Sequence, residues 1–253
     1  MNRKFIFFDI DGTLTDDNPG GKILESTYRT LDQLRKNGHF VAIATGRAQW
    51  MAIDFARTAK IKHMVSDGGN GLTVDGKLLY IRPLDFNEAN QVIDDCIHYH
   101  YPYAVSIGNE NILYSNRHEI ENYSIHVKTI VDENLDFHQV DAIYKIFIYL
   151  SKEEEKTLKL DKLDYMRYVS DQIIIEPTEK YKGILEMIKI MGGHEKDIVV
   201  FGDGHNDYSM IKQAPLGIAM GNASQEIKDI ADFVTKRNDD DGIEYACQYF
   251  GWI

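Results

Sequence analysis

The chain is poor in cysteine. Cys96 and Cys247 are the only two in 253 residues, and they lie far apart. No paired spacing is present for a disulfide framework or a thiolate metal site, so reduced core cysteines in a cytoplasmic protein are expected. Basic charge is also scarce. Lys and Arg number 28 against 40 Asp and Glu, a formal net charge of −12. That balance argues against a nucleic acid or a membrane surface as the main partner. It leaves room for a small anionic ligand, because a local cation can reverse the field inside a pocket. No run approaches the ~18 apolar residues of a membrane span. The opening MNRKFIFFDIDG has only the four apolar residues Phe5 to Phe8 after its basic start, too few for a signal-peptide core. Internal repeats and low-complexity tracts are missing as well. What the chain does have is an apolar fraction of 43%, enough for a sizeable core in one large domain or two ordinary ones.

The first informative stretch is FIFFDIDGTLTDDN, which places Asp9, Asp11, Asp16 and Asp17 at the end of an apolar run. A polar turn after a strand is one reading, since Asp-Gly favours turns. A calcium loop is excluded: counted from Asp9, position 6 is Leu14 and position 12 is Gly20, where Gly and an acid are needed. A catalytic carboxylate pair is the third reading.

The rest of the chain alternates strand and helix. Continuous apolar runs at Lys4 to Phe8, His39 to Ala44 and Asp197 to Phe201 read as strands buried on both faces. His63 to Ser66, Leu216 to Met220 and Phe233 to Thr235 read as weaker ones. Helical spacing follows Ser26, with Gly38 closing the helix, and recurs at Ala48, Met51, Ala52, Phe55 and Ala59. KGILEMIKIMGG, NDYSMIKQ, SQEIKDIAD (Ser224 as N-cap) and the stretch after Gly242 are further helices. A hairpin turns at Asp75-Gly76. This pattern predicts an α/β fold, a parallel sheet wrapped by helices on both faces. Residues 84–180 break the rhythm: one helix, FNEANQVIDDCIHYH, is followed by closely spaced strands, YAVSIG, NILYS, AIYKIFIYL, YMRYV and QIIIEP. They predict an antiparallel α+β domain inserted into a core made of 1–83 and 181–253. A single larger domain is the alternative.

In an open parallel sheet, ligands bind beyond the carboxyl ends of the strands. Asp9-Ile10-Asp11-Gly12-Thr13 follows the first strand, Thr45-Gly46-Arg47 the second, and Gly202-Asp203-Gly204-His205-Asn206-Asp207 the strand after the insert, while Lys182-Gly183 opens the helix that resumes the core. Asp-Gly could be a turn, Thr45 a helix cap and Lys182 a solvated lysine; their common rim argues otherwise. Asp9, Asp11, Asp203 and Asp207 would share one cleft. Two carboxylates ~4 Å apart repel by roughly 4 kcal/mol at an effective dielectric of 20, so four need cations among them. Lys182 supplies one charge, and Mg²⁺ suits a site of few carboxylates that shares phosphate oxygens. Such a cleft is shaped for a phosphoryl group.

The segments DIDGT, ATGR, YKG and GDGHND resemble, in order, the four motifs of the haloacid dehalogenase (HAD) superfamily. The long insert, with SDGGNG before it and NDDDGI near the end, is similar to the Cof-type sugar-phosphatase branch, which carries an α/β cap on a Rossmann-like core. The resemblance implies a phosphatase for a small phosphorylated metabolite. Asp9 would form an aspartyl-phosphate and Asp11 would act as acid and then base. Asp9, the Asp11 carbonyl, Asp203, Asn206 and Asp207 would hold Mg²⁺. Ile10, Thr45, Gly46, Arg47, Lys182 and Asn206 would hold the phosphoryl group. The third motif departs from the pattern in reading TEKYKG, so Lys180 rivals Lys182; Gly183 directly after Lys182 favours Lys182. Asp67 in SDGGNG is an additional acid, read as a hinge turn.

The nine histidines give no zinc signal. His98 and His100 are two apart on a helix and do not share a face, and His205 is flanked by better ligands. Tyr99, Tyr101, Tyr103, Tyr114 and Tyr123 read as insert core rather than a sugar-stacking shelf. A phosphosugar mutase is the enzyme alternative, which would need insert cations from Arg117, Lys128, Lys145 or Arg167. A non-catalytic metal- or phosphate-binding regulator is the other, and intact Asp9 and Asp11 argue against it.

Overall fold

The computed structural model describes residues 2–16, 21–123 and 127–253; Asp17 of the opening acidic stretch lies outside them. The chain divides into two compact units, Met1–Ile81 with Glu179–Ile253, and Arg82–Thr178. Lys180, assigned to the insert from sequence, therefore belongs to the first unit.

In chain order the first unit begins with β1 (Phe5–Phe8), α1 (Glu25–Lys36), β2 (Phe40–Ala44), α2 (Gln49–Thr58), β3 (Met64–Ser66), β4 (Gly71–Val74) and β5 (Lys77–Ile81). The second unit holds α3 (Phe86–Tyr99), β6 (Tyr103–Ser106), β7 (Ile112–Ser115), β8 (Lys128–Val131), β9 (Lys145–Tyr149), β10 (Tyr165–Val169) and β11 (Gln172–Ile175). The first unit then resumes with α4 (Lys180–Ile190), β12 (Ile198–Gly202), α5 (Tyr208–Gln213), β13 (Gly217–Ala219), α6 (Gln225–Ile230), β14 (Phe233–Val234) and α7 (Gly242–Tyr249).

The first unit is an eight-stranded sheet in the order β14-β13-β12-β1-β2-β3-β4-β5. Strands β14 to β3 in that order run parallel, and the β4–β5 hairpin adds an antiparallel edge. The hairpin turns at Asp75 and Gly76, both at positive φ, as a two-residue turn requires. Every residue of β1 is buried because its alternating side chains feed two different layers. Ile6 and Phe8 pack with Leu31, Leu34, Ile243 and Cys247. Phe5 and Phe7 pack with Tyr181, Ile184, Met187 and Met210 on the other face. The chain leaves β1 toward β2 and β3 on one side and returns through β12 on the other, so the topological switch point lies between β1 and β12.

Helix α2 presents a different stripe from the expected one. Gln49, Ala52 and Ala56 are buried with Ala59, whereas Met51 is 40% exposed. Among the described residues no helix is long and apolar enough to cross a membrane.

The second unit is a six-stranded sheet in the order β10-β11-β9-β6-β7-β8. Ala89, Val92, Ile93 and Cys96 of α3 cover one face, against Tyr103, Val105, Ile146, Ile148, Ile173 and Ile175. Strand β8 was not anticipated, and it pairs with β7 in parallel, a departure from the all-antiparallel expectation. Tyr103 is fully buried, but Tyr99 is 43% exposed, so the tyrosines do not form one core. Both cysteines are buried and free.

Candidate active site

The site grows from the ends of β1 and β12. The Asp9 N–H donates to the Phe201 carbonyl at 3.0 Å, extending the ladder one residue past Phe8. The chain then turns sharply: the Leu14 N–H reaches the Asp9 carbonyl at 3.3 Å and the Thr15 N–H reaches that of Ile10 at 3.1 Å. Gly12 makes this possible. Its φ is +80°, and a Cβ there would lie 2.2 Å from Asp203 Oδ2. The loop is thereby pressed against the end of β12, where the Thr13 hydroxyl donates to Asp203 Oδ1 at 2.8 Å.

Asp9, Asp203 and Asp207 meet here, each offering an oxygen within 4.8 Å of the others. The ammonium among them belongs to Lys180. Its Nζ donates to Asp9 Oδ1 at 2.7 Å and to Asp207 Oδ1 at 2.6 Å, and the side chain is fully buried. Lys182, favoured from the sequence, is exposed; this is a correction. The cause is helical geometry. Residues three apart share a helix face and adjacent ones do not, so the face that Gly183 presses against the sheet also carries Lys180. That contact is close: a Cβ on Gly183 would sit 2.5 Å from Val65 Cγ1 and 2.7 Å from the Gly69 carbonyl oxygen.

The four expected carboxylates do not all gather in one cluster. Asp11 turns to Arg47, whose Nε donates to its Oδ2 at 2.7 Å while an Nη reaches Oδ1, a bidentate pair. Thr45 is buried, and its hydroxyl oxygen accepts from the Arg47 N–H at 3.1 Å. Gly46 lies half-buried between them. The Ile10 side chain is core, so any phosphate contact comes from its backbone. Asn206 is half-buried in the turn before Asp207, its Oδ1 over Gly204. Asp207 uses its second oxygen, Oδ2, to accept the N–H groups of Asp203 and Gly204, each at 2.9 Å. His205 points away to Glu226 at 3.2 Å.

Electrostatics separate these groups. Burial pushes the Asp9 carboxyl up, Asp207 adds to it and Lys180 opposes, leaving a pKa of about 8. Burial and then Asp207 raise Asp203 to about 7, against the Thr13 hydrogen bond. Burial alone would lower the Lys180 ammonium, but Asp207 and Asp9 outweigh it and raise its pKa. The hydrogen bonds that Arg47 donates to Asp11, partly offset by burial, raise the pKa of Arg47. Three carboxylates around one ammonium thus lack positive charge, and a hard divalent cation bound by oxygens fits this donor set.

Two further residues act here: Asn222, to which the sequence assigns no role, and Asn238, which opens the NDDDGI segment. Asn222 Nδ2 donates to the Gly12 carbonyl at 2.8 Å, and its Oδ1 accepts from the Asn238 N–H at 3.0 Å. Asn238 Nδ2 in turn donates to the Thr15 carbonyl at 2.8 Å. Together they hold the turn after β1 from outside. A signal existed: Asn222 follows β13, another strand ending on the same rim.

A family model for haloacid dehalogenase-like hydrolases matches residues 6–247. The chain belongs to this family. YkrA of Bacillus subtilis (strain 168), which carries a provisional phosphatase name, is 32% identical over 260 residues, with 100% of both chains covered. A solved structure from Geobacillus kaustophilus HTA426 superposes with a TM-score of 0.85 at 30% identity and 100% coverage of both chains. The HAD subclass IIB sugar phosphatase BT4131 superposes with a TM-score of 0.80 at 26% identity, covering 99% of this chain and 100% of that one. The doubly wound sheet is the HAD core, and the enzyme is a HAD phosphatase.

Proposed function

We propose that this HAD phosphatase hydrolyses a small phosphorylated metabolite, a sugar phosphate or similar, through an aspartyl-phosphate on Asp9 with Mg²⁺ as cofactor. The observation that carries the reading is the meeting of Asp9, Asp203 and Asp207 within 4.8 Å around buried Lys180. An Asp9 oxygen attacks phosphorus and bonds to it as the bond to the leaving oxygen breaks, and Asp11 gives that oxygen its proton. Asp11, held by Arg47, then takes a proton from water. The water oxygen bonds to phosphorus, the bond to Asp9 breaks, and phosphate leaves. Lys180 and Thr45 hold phosphoryl oxygens, with backbone groups of Ile10 and Gly46 beside them. Asp9, Asp203 and the Asp11 carbonyl would hold Mg²⁺, with Asn206 nearby, and the metal would neutralise the phosphoryl charge. Asp207, expected from the sequence as a further ligand, has one oxygen on Lys180 and the other on the Asp203 and Gly204 N–H groups, and in this reading it anchors the lysine instead.

Residues 82–178 act in this reading as the cap that selects the substrate. Three of the four insert cations that a mutase could use on a second phosphate are already paired: Arg117 with Glu119, Lys145 with Glu176, and Arg167 with Glu155. This supports hydrolysis over transfer, and the sugar-phosphatase activity in the name of BT4131 supports the substrate class. Hydrolysis of para-nitrophenyl phosphate should require Mg²⁺, stop in chelator and resume on adding the metal back. Rapid-quench labelling should find a phosphoenzyme that survives cold acid, is cleaved by alkali or hydroxylamine, and cannot form on Asp9→Asn. Full turnover in chelator, or label on Asp9→Asn, would sink the proposal.

A further inference from the structure

The SDGGNG stretch has no part in the chemistry above, yet it touches two of the pieces that do. Asp67, Gly68 and Gly69 have φ values of +51°, +62° and +113°, three successive residues in a region that favours glycine, and the first of them is an aspartate. The Asp67 N–H donates to the Arg47 carbonyl at 2.9 Å and the Gly68 N–H to the Thr45 carbonyl at 3.2 Å. Asp67 Oδ2 accepts from the Gln49 N–H at 3.1 Å and from the Ser66 hydroxyl at 2.8 Å. The loop Thr45-Gly46-Arg47 is thus gripped at both ends and at the first turn of α2. On its other side the same turn meets the start of α4. A Cβ on Gly69 would lie 2.4 Å from the Glu179 carbonyl oxygen and 3.2 Å from Lys180 Cα.

We infer that the Asp67–Gly71 turn is a positioning element for phosphoryl binding, with Asp67 as the residue that fixes the Thr45–Arg47 loop and Gly69 as the seat that sets Lys180. The carboxylate has the central part, because its left-handed backbone aims Oδ2 at the α2 terminus. Gly71 leaves it room: a Cβ there would come 2.6 Å from Asp67 Oδ2. The assignment rests on the proposed roles of Thr45 and Lys180.

The test separates the turn's shape from the carboxylate's grip. Asp67→Gly accepts the positive φ and removes only the acceptor, so it should fold. Its KM for para-nitrophenyl phosphate and its inhibition constant for inorganic phosphate should rise, and kcat/KM should fall by about 10²-fold, the scale of an ångström's misplacement. The Mg²⁺ concentration for half-activation should change less than about twofold, an estimate from the metal carboxylates being anchored on β1 and β12, away from this loop. Asp67→Asn, which keeps an acceptor, should recover most of the loss. Gln49→Pro removes the donor N–H at a helix position where Pro is tolerated, and should weaken phosphate binding relative to Gln49→Ala. Wild-type constants in Asp67→Gly, or equal constants in the two Gln49 variants, would overturn the inference. Thr45→Ala and Lys180→Ala serve as controls. If they retain activity, the reading of the site itself fails; if they lose it while Asp67→Gly does not, only the inference fails.

Discussion

Among the described residues each unit buries a lysine against carboxylate, and the two clusters differ in one respect. In the second unit, Lys145 meets Glu176, whose other oxygen takes the Tyr168 hydroxyl at 2.5 Å. In the first, Lys180 meets Asp9 and Asp207, with Asp203 within reach of both. Burial is alike: Lys145 is 8% exposed and Lys180 0%. The charge left over is not alike. Lys145 meets the carboxylate of Glu176, which a neutral phenol also engages, whereas Lys180 lies among three acids. A buried pair that closes its own charge belongs to the packing of its sheet. A cluster with more acids than cations fits the cation and the phosphate of the proposed reading. Burial therefore does not separate the two clusters; the excess of acids in the first is what supports the proposed site.

The largest effect that should separate the clusters is on rate. Lys180→Met should lower kcat/KM by roughly 10²–10³-fold, the range for losing one charged stabiliser of a transition state. The exposed Lys182→Met is its matched control and should leave both rate and melting temperature near wild type. Steady-state kinetics on both variants decides the matter, and a larger loss in Lys182→Met would reverse the assignment.

Next in size is a stability effect in the second unit. Lys145→Met strands Glu176 in the sheet and should cost about 3–5 kcal/mol. Adding Glu176→Leu should recover most of it. Urea denaturation read from both variants measures this, and an additive double mutant would show that the two side chains do not act as a pair.

The smallest effect sharpens the comparison through pH. Asp9 and Asp203 keep their protons up to about 8 and 7 in the metal-free fold, while in the unfolded chain they lose them near 4. Between those values the folded state holds protons that the unfolded state has released. Stability in chelator should therefore fall as pH rises from about 4 to 8 and level off above. Mg²⁺ needs the ionised carboxylates, so the rise in melting temperature on adding it should grow over pH 6 to 8. A Mg²⁺ shift that is flat with pH would contradict the charge argument.

Much of this was legible in the sequence for a physical reason. Strands buried on both faces must be continuously apolar, so β1, β2 and β12 stood out, and the groups following them had to share one rim. The choice between Lys180 and Lys182 was not legible. Which of two lysines faces the sheet depends on where α4 begins, and that is fixed by Gly183 and Gly69 meeting across a long stretch of chain. Strand β8 was missed because KTIV is short and at a sheet edge, where only its partner defines it. Asn222 was missed because one amide in a turn says nothing until Gly12 lies beside it.

The place of β1 in the sheet has a consequence for synthesis. Its neighbours are β2, which follows soon after, and β12, which begins only at Ile198. As the chain emerges from the ribosome, residues 82–178 form a contiguous stretch with their own sheet and core, and they are complete while one edge of β1 still waits for its partner. Loop closure across that distance is slow compared with local pairing. This central strand is thus made long before its partner β12, and in the interval its open edge is exposed to wrong partners.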